Sequence, residues 1–307
     1  MNRILTFPML MASMALLTSC PEPEPCTNDI AIDRSRGACT EDLAPTPSVS
    51  IQVNGSIRTI TSNNIPDHKV GLFGQVPGAL NPNAITAQSS TYELTTQPEQ
   101  ASQLTPLLGP IGPVYSFGVL LNGVELDPTP AEPFPHDGNR GPSANWDWNL
   151  EASNVNLGLD CSDAHVQPNG KYHYHGEPHG FLDNMSISGQ EMTLIGYAGD
   201  GFPIYYLYAY SVASDRTSSV TAMSSSYRLR EGERPGDGVD APCGEYDGTY
   251  AADYEYVPGL GDLDEANGRV GVTPEYPAGT YYYVLGDAFP FIPRYFRGTP
   301  SEDFRLN

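Results

Sequence analysis

The sequence predicts a mostly β protein, folded as a single sandwich-like or irregular barrel-like domain with many long loops. Three observations lead there. Asn-Gly pairs separate short runs in which apolar and polar residues alternate, as in "SVSIQVNGSIRTI" at 48–60, and Asn-Gly suits the tight turn of a two-residue hairpin. No stretch of twelve or more residues repeats its apolar positions at the helical period. The 307 residues include 31 Gly, 29 Pro and 19 Tyr, a composition rich in turn formers and in a residue that favours strands.

The elements follow in chain order. Residues 1–19 have a basic Arg3, an apolar run and a small-residue end, the outline of a secretory signal. The run is too short and interrupted to span a bilayer. "LTSC" at 17–20 resembles a bacterial lipobox, which implies cleavage before Cys20 and lipidation of its thiol. Pro21 at the next position implies, by resemblance to enterobacterial sorting, the outer membrane. Residues 20–47 are rich in Pro, charge and small polar residues and read as a tether. The β domain follows over 48–307. Its strand-like runs are 48–60, then "VYSFGVLLNGVELDP" (114–128) around Asn122-Gly123, then "EMTLIGYAGDGFPIYYLYAY" (191–210) split by Gly-Asp-Gly, then "GTYYYVLGDAFPFIPRYF" (279–296). A short helix is expected near 99–108 or 150–157. So many short strands close by default into a sandwich or barrel.

Charge and cysteines narrow the class. The formal net charge is −22, a surface that repels nucleic acid, whose binding needs Lys and Arg against phosphate. The only membrane contact expected is through the N-terminal lipid, and such a surface attracts cations. Five cysteines leave one over in an exported chain. With Cys20 lipidated, Cys26, Cys39, Cys161 and Cys243 pair completely. The simplest pairing is local, Cys26–Cys39 and Cys161–Cys243, although three connectivities are open. No C-x-x-C spacing occurs, so a cysteine zinc site is not expected.

Four of the six histidines fall within "AHVQPNGKYHYHGEPHG", residues 164–180. On a strand, side chains two apart share a face. His173 and His175 then project together, while Tyr172 and Tyr174 face the core. Asn169-Gly170 supplies a turn that returns His165 beside them. Three imidazoles from one hairpin suit one transition metal, zinc or copper. His68, in "IPDH", is the distant candidate for a fourth ligand or an acid–base role. His136 and His179 read as loop residues. In the acidic stretch 237–265, Asp262 and Asp264 are spaced like the start of a calcium loop, but its sixth position is Asn267 and not Gly; calcium is a secondary candidate. H-E-x-x-H, Gly-x-Ser-x-Gly and phosphate-loop patterns are absent.

Five ordered segments resemble the YHYH domain family: "NNIPDHKVGLF" (63–73), "FGVLLNGVELDP" (117–128), "LGLDCSDAHVQPNGKYHYHG" (157–176), "LIGYAGDGFPIY" (194–205) and "NGRVGVTPEYPAGTYYYVLGDAFPFIPRYFRGTP" (267–300). The resemblance spans roughly 49–305 and implies a secreted or surface protein without an established biochemical function. Ala266 stands where the resemblance implies a cysteine. Two functions compete: a surface-anchored lipoprotein whose histidine hairpin binds a transition metal for catalysis or capture, and a non-catalytic module that recognises glycan or protein with structural histidines.

Overall fold

The hairpins signalled by Asn-Gly form where expected in the computed structural model, which describes residues 30–306. Val49–Asn54 and Ile57–Ser62 pair antiparallel across Asn54↔Ile57, and Ser90–Thr95 adds a third strand. Gly118–Leu120 and Glu125–Leu126 pair around Gly123, and Leu194–Ala198 and Pro203–Tyr206 pair around the Gly-Asp-Gly turn. The chain is 31% strand and 5% helix, with no closed barrel among the described residues, so the mostly β, sandwich-like reading holds.

One mixed sheet of eight strands organises the domain. Its order is Ala164–Val166, Tyr172–Tyr174, Glu125–Leu126, Gly118–Leu120, Leu194–Ala198, Pro203–Tyr206, Thr280–Leu285, Gly268–Gly271. Two neighbouring pairs are parallel: Tyr172–Tyr174 beside Glu125–Leu126, and Pro203–Tyr206 beside Thr280–Leu285. The central strands are buried on both faces, as their apolar runs require. Phe117, Val119, Ile195, Ile204, Tyr283 and Phe296 form part of one large core that reaches Tyr172 and Tyr174. The histidine hairpin is thus the edge of the main sheet, with one face on the core.

Several expectations change. Region 99–108 holds bends and short strands and 150–157 turns and a bridge; the α-helix among the described residues is His179–Met185 instead. It is one short amphipathic stretch that buries Phe181 and Leu182 and ends at Ser186 in the left-handed conformation. Seven residues are too few to display a helical period. The local cysteine pairing is also overturned: Cys39 is bonded to Cys161, 122 residues away, and Cys243 is disulfide-bonded too. Cys20, Cys26 and the signal segment lie outside the described residues. The described part of the expected tether is pinned to the domain. Gly37 bridges to Asp160 and Glu41 to Val70, Arg36 is ion-paired to Asp163, and Leu43 packs on the core. Apolar periodicity could not reveal this strap because its contacts are mainly polar and covalent. Among the described residues no helix is long and apolar enough to cross a membrane.

Candidate metal centre

The hairpin turn is built by Gln167-Pro168-Asn169-Gly170. Gly170 N–H donates to the Gln167 carbonyl at 2.8 Å, and Gln167 N–H to the Lys171 carbonyl at 2.9 Å. Gly170 has φ +88°, and a Cβ there would lie 2.0 Å from the Thr86 hydroxyl, so only glycine fits. The turn sets the register Ala164↔Tyr174, His165↔His173, Val166↔Tyr172. Directly opposed residues share a face, so His165 comes to stand beside His173. His175 continues the strand, its N–H donating to the Asp163 carbonyl at 2.8 Å.

The three imidazoles meet at their Nε2 atoms. His173 Nε2 is 2.9 Å from His175 Nε2, which is 3.0 Å from His165 Nε2. The rings stand steeply to one another, with interplanar angles of 68°, 85° and 71°. Edges and not faces therefore converge. His173 and His175 are 1% and 2% exposed. Burial pushes all three pKa values down, those of His173 and His175 far below the ordinary histidine value, and at these two the neighbouring imidazoles add to it. The rings are neutral.

Their proton positions follow from their neighbours. His165 Nδ1 faces the Leu157 carbonyl at 3.1 Å and His173 Nδ1 faces the Lys171 carbonyl at 3.3 Å. A carbonyl only accepts, so each Nδ1 carries the proton and each Nε2 presents a lone pair. His175 can donate its Nε2 proton to only one of these two nitrogens. Without a cation, at least one pair of nitrogens faces lone pair to lone pair. His175 Nδ1 is buried and has no partner among the described residues. Tetrahedral zinc with bonds of about 2.0–2.1 Å needs ligand nitrogens about 3.3 Å apart, within a few tenths of the two distances from His175 Nε2, and all three ligand atoms lie within 4.8 Å of one another. Among the described residues this trio is the one group of three or more His, Cys, Asp or Glu whose ligand atoms converge.

The opposite face of the same strand is saturated. Tyr172 donates to Asp160 Oδ2 at 2.8 Å, and Asp160 also accepts from the N–H groups of Gly71 and Ser162. His68 Nδ1 donates to the Lys69 carbonyl at 2.7 Å, so its Nε2 accepts from the Tyr174 hydroxyl at 2.7 Å. Asn122 donates to the same hydroxyl at 3.1 Å.

These residues give the four-letter string its meaning, with tyrosines locking the hairpin to the core and histidines lining the cleft on the other face. A sequence profile described as "YHYH protein" matches residues 91–298 of the 307. The chain belongs to the YHYH family. No curated protein and no solved structure matches it.

Within this YHYH domain the structure joins three of the four histidines expected together. His68 is the exception: it serves the tyrosine face, and it lies outside the matched segment. His136 is not a solvated loop residue either. It stacks on Tyr250 at 5.5 Å and its Nε2 is 3.1 Å from the Tyr250 hydroxyl. His179 opens the helix, half exposed, 3.7 Å from both Asp163 and Glu177. The calcium-like carboxylates are spent on the fold. Asp262 accepts from the Ser224 N–H and hydroxyl, and Asp264 from two backbone N–H groups and Tyr281.

Asp127 was missed. The trio lines one wall of a cleft of about 750 Å³, and Asp127 lines it too. Its backbone N–H donates to the Tyr174 carbonyl at 2.8 Å, which extends the parallel pairing beside the hairpin. The carboxyl is 3% exposed, and its Oδ1 has no partner among the described residues. Burial, and then the Glu125 charge, push its pKa up to about 7. Glu125 itself is paired with Lys171 at 2.8 Å and accepts from Tyr92 at 2.6 Å. The available signal was the Glu125-x-Asp127 spacing, which places both carboxyls on one face of a buried strand end.

Proposed function

We propose that the chain is a cell-envelope lipoprotein that binds one transition-metal ion, zinc or copper, through His165, His173 and His175. The observation that carries this reading is the meeting of three neutral Nε2 atoms, two of them fixed as lone-pair donors by their Nδ1 contacts. Neutral imidazole is a good ligand for both metals. A carbonyl on the far ring nitrogen is the usual device for orienting a ligating histidine. The acidic chain and the Asp127 carboxyl in the same cleft favour a cation electrostatically.

Three protein ligands beside a cleft leave room for a fourth from outside, the pattern of a centre that works on a ligand and not of one that only staples a fold. Such an ion acts as a Lewis acid on what occupies that position. The Leu157 and Lys171 carbonyls orient His165 and His173, and Asp127 offers a carboxyl on the cleft wall. Anchoring through Cys20, with the domain held at the outer membrane, completes the reading. Cys20→Ala releases the protein from membranes if this is right, and continued membrane fractionation contradicts it.

Elemental analysis of the full chain, purified without an affinity histidine tag, tests the metal. About one equivalent of zinc or copper is expected, falling to background in His173→Ala/His175→Ala. A wild-type protein that takes up neither ion would falsify the reading.

A further inference from the structure

A second cleft lies beside the first and has a different chemistry. It encloses about 510 Å³, a size that suits a small organic ligand, and five of its seventeen lining residues are aromatic. The Tyr254 ring lies flat on Phe289, with centroids 3.8 Å apart and planes 3° from parallel, and Tyr227 meets Phe289 edge-on at 5.3 Å. Both hydroxyls are tied back, Tyr254 accepting from Asn154 at 2.9 Å and Tyr227 donating to the Glu265 carbonyl at 2.7 Å. The two tyrosine rings are half-buried, Phe289 is buried, and all three are held in place before any ligand arrives. Two buried donors line the same cleft with no acceptor among the described residues: the indole Nε1–H of Trp146, itself 5% exposed, and the Nε–H of Arg294. Both groups only donate. The exposed carboxylate of Asp147, also in the wall, only accepts.

We propose that this cleft binds a neutral oligosaccharide. A pyranose ring has apolar C–H faces for fixed aromatic rings and hydroxyl and ether oxygens for lone donors. The same hydroxyls donate to Asp147. An anionic ligand is disfavoured because the chain carries a net charge of −22 and Arg294 is already paired with Glu151 at 2.6 Å. Thr129 lines both clefts, and the Arg294 guanidinium donates to the Pro128 carbonyl beside it. The two clefts therefore adjoin at Thr129. The site stands without the metal reading, and either can fail alone.

Intrinsic fluorescence reads this cleft, because Trp146 and Trp148, on one strand, are the only two tryptophans of the chain. The full untagged chain is titrated with chitotetraose, cellotetraose, maltotetraose and mannotetraose, with calorimetry in parallel. Saturable binding of at least one is expected. Trp146→Phe, read by calorimetry, keeps an aromatic ring and removes the donor; Asp147→Ala changes an exposed side chain. Each weakens binding about tenfold or more, the loss of one or two hydrogen bonds. Val53→Ala, on the first hairpin and outside the cleft, leaves the affinity unchanged. No saturable binding by any of the four sugars overturns the proposal. So does binding that both cleft variants leave intact, or binding found only with an acidic sugar or a peptide.

Discussion

The two faces of the histidine hairpin share a backbone and differ in one respect: whether their polar atoms are spent. On the core face, the hydroxyls of Tyr172 and Tyr174 end on Asp160, His68 and Asn122 at 2.7–3.1 Å. On the other face, three imidazole nitrogens aim at each other with fewer protons than contacts. A buried polar atom left unmatched costs about 1–3 kcal/mol, so a fold keeps such a face when something outside the chain satisfies it. Residue type does not separate the faces, since His68 is a histidine and belongs to the satisfied side. What separates them is the partner each Nε2 meets.

The largest effect expected on the cleft face is loss of the ion. His173→Ala/His175→Ala brings bound metal to background while the far-ultraviolet dichroism of the β domain persists. On the core side the largest effect comes from the covalent tie beside the hairpin. Cys39–Cys161 closes a loop of 122 residues, which the chain-entropy estimate values at roughly 5 kcal/mol. Cys39→Ser/Cys161→Ser lowers stability by about that much in denaturant titrations. Tyr172→Phe comes next, removing a donor from a buried carboxylate at a cost of about 1.5–3 kcal/mol, with metal stoichiometry unchanged. If it also empties the metal site, the two faces are not independent.

The pH dependences of the two walls of the cleft oppose each other. The trio's pKa values are depressed, so its contribution to stability is complete above the unfolded value of about 6.5 and is lost as the pH falls below it. Asp127 is raised from 3.8 to about 7, so the folded protein holds its proton more tightly than the unfolded chain. Its ionisation therefore costs stability as the pH rises through that window. Asp127→Asn stabilises by about 1–4 kcal/mol near pH 8 and by almost nothing near pH 4. Equal melting shifts at both pH values contradict the buried, proton-binding carboxyl. The smallest effect belongs to His136→Ala, which leaves metal uptake untouched because that ring is occupied with Tyr250.

The trio was legible in the sequence because two local rules suffice for it. Period-two alternation places His173 with His175, and the Asn169-Gly170 turn returns His165. His68 was not legible as a partner of Tyr174, since that contact joins residues 106 apart and nothing local specifies which strand face a distant loop reaches. The same holds for Cys39–Cys161, where sequence proximity favoured the wrong partners. The strap at 33–43 was hidden because polar bridges and a disulfide hold it, and these leave no apolar pattern. Asp127 follows a strand of only two residues, Glu125–Leu126, too short for its alternation to stand out. The fold class was readable because the hairpin chemistry recurs along the chain, whereas the seven-residue helix was too short to announce itself.

The most direct test is anomalous diffraction at the zinc and copper edges from crystals of untagged protein grown with each ion. One peak is expected on the cleft face of the hairpin, about 2.0–2.1 Å from Nε2 of His165, His173 and His175, with His68 still bonded to Tyr174. A peak at His136, His179 or the 237–265 carboxylates and none at the trio, or no peak with either ion, contradicts the account.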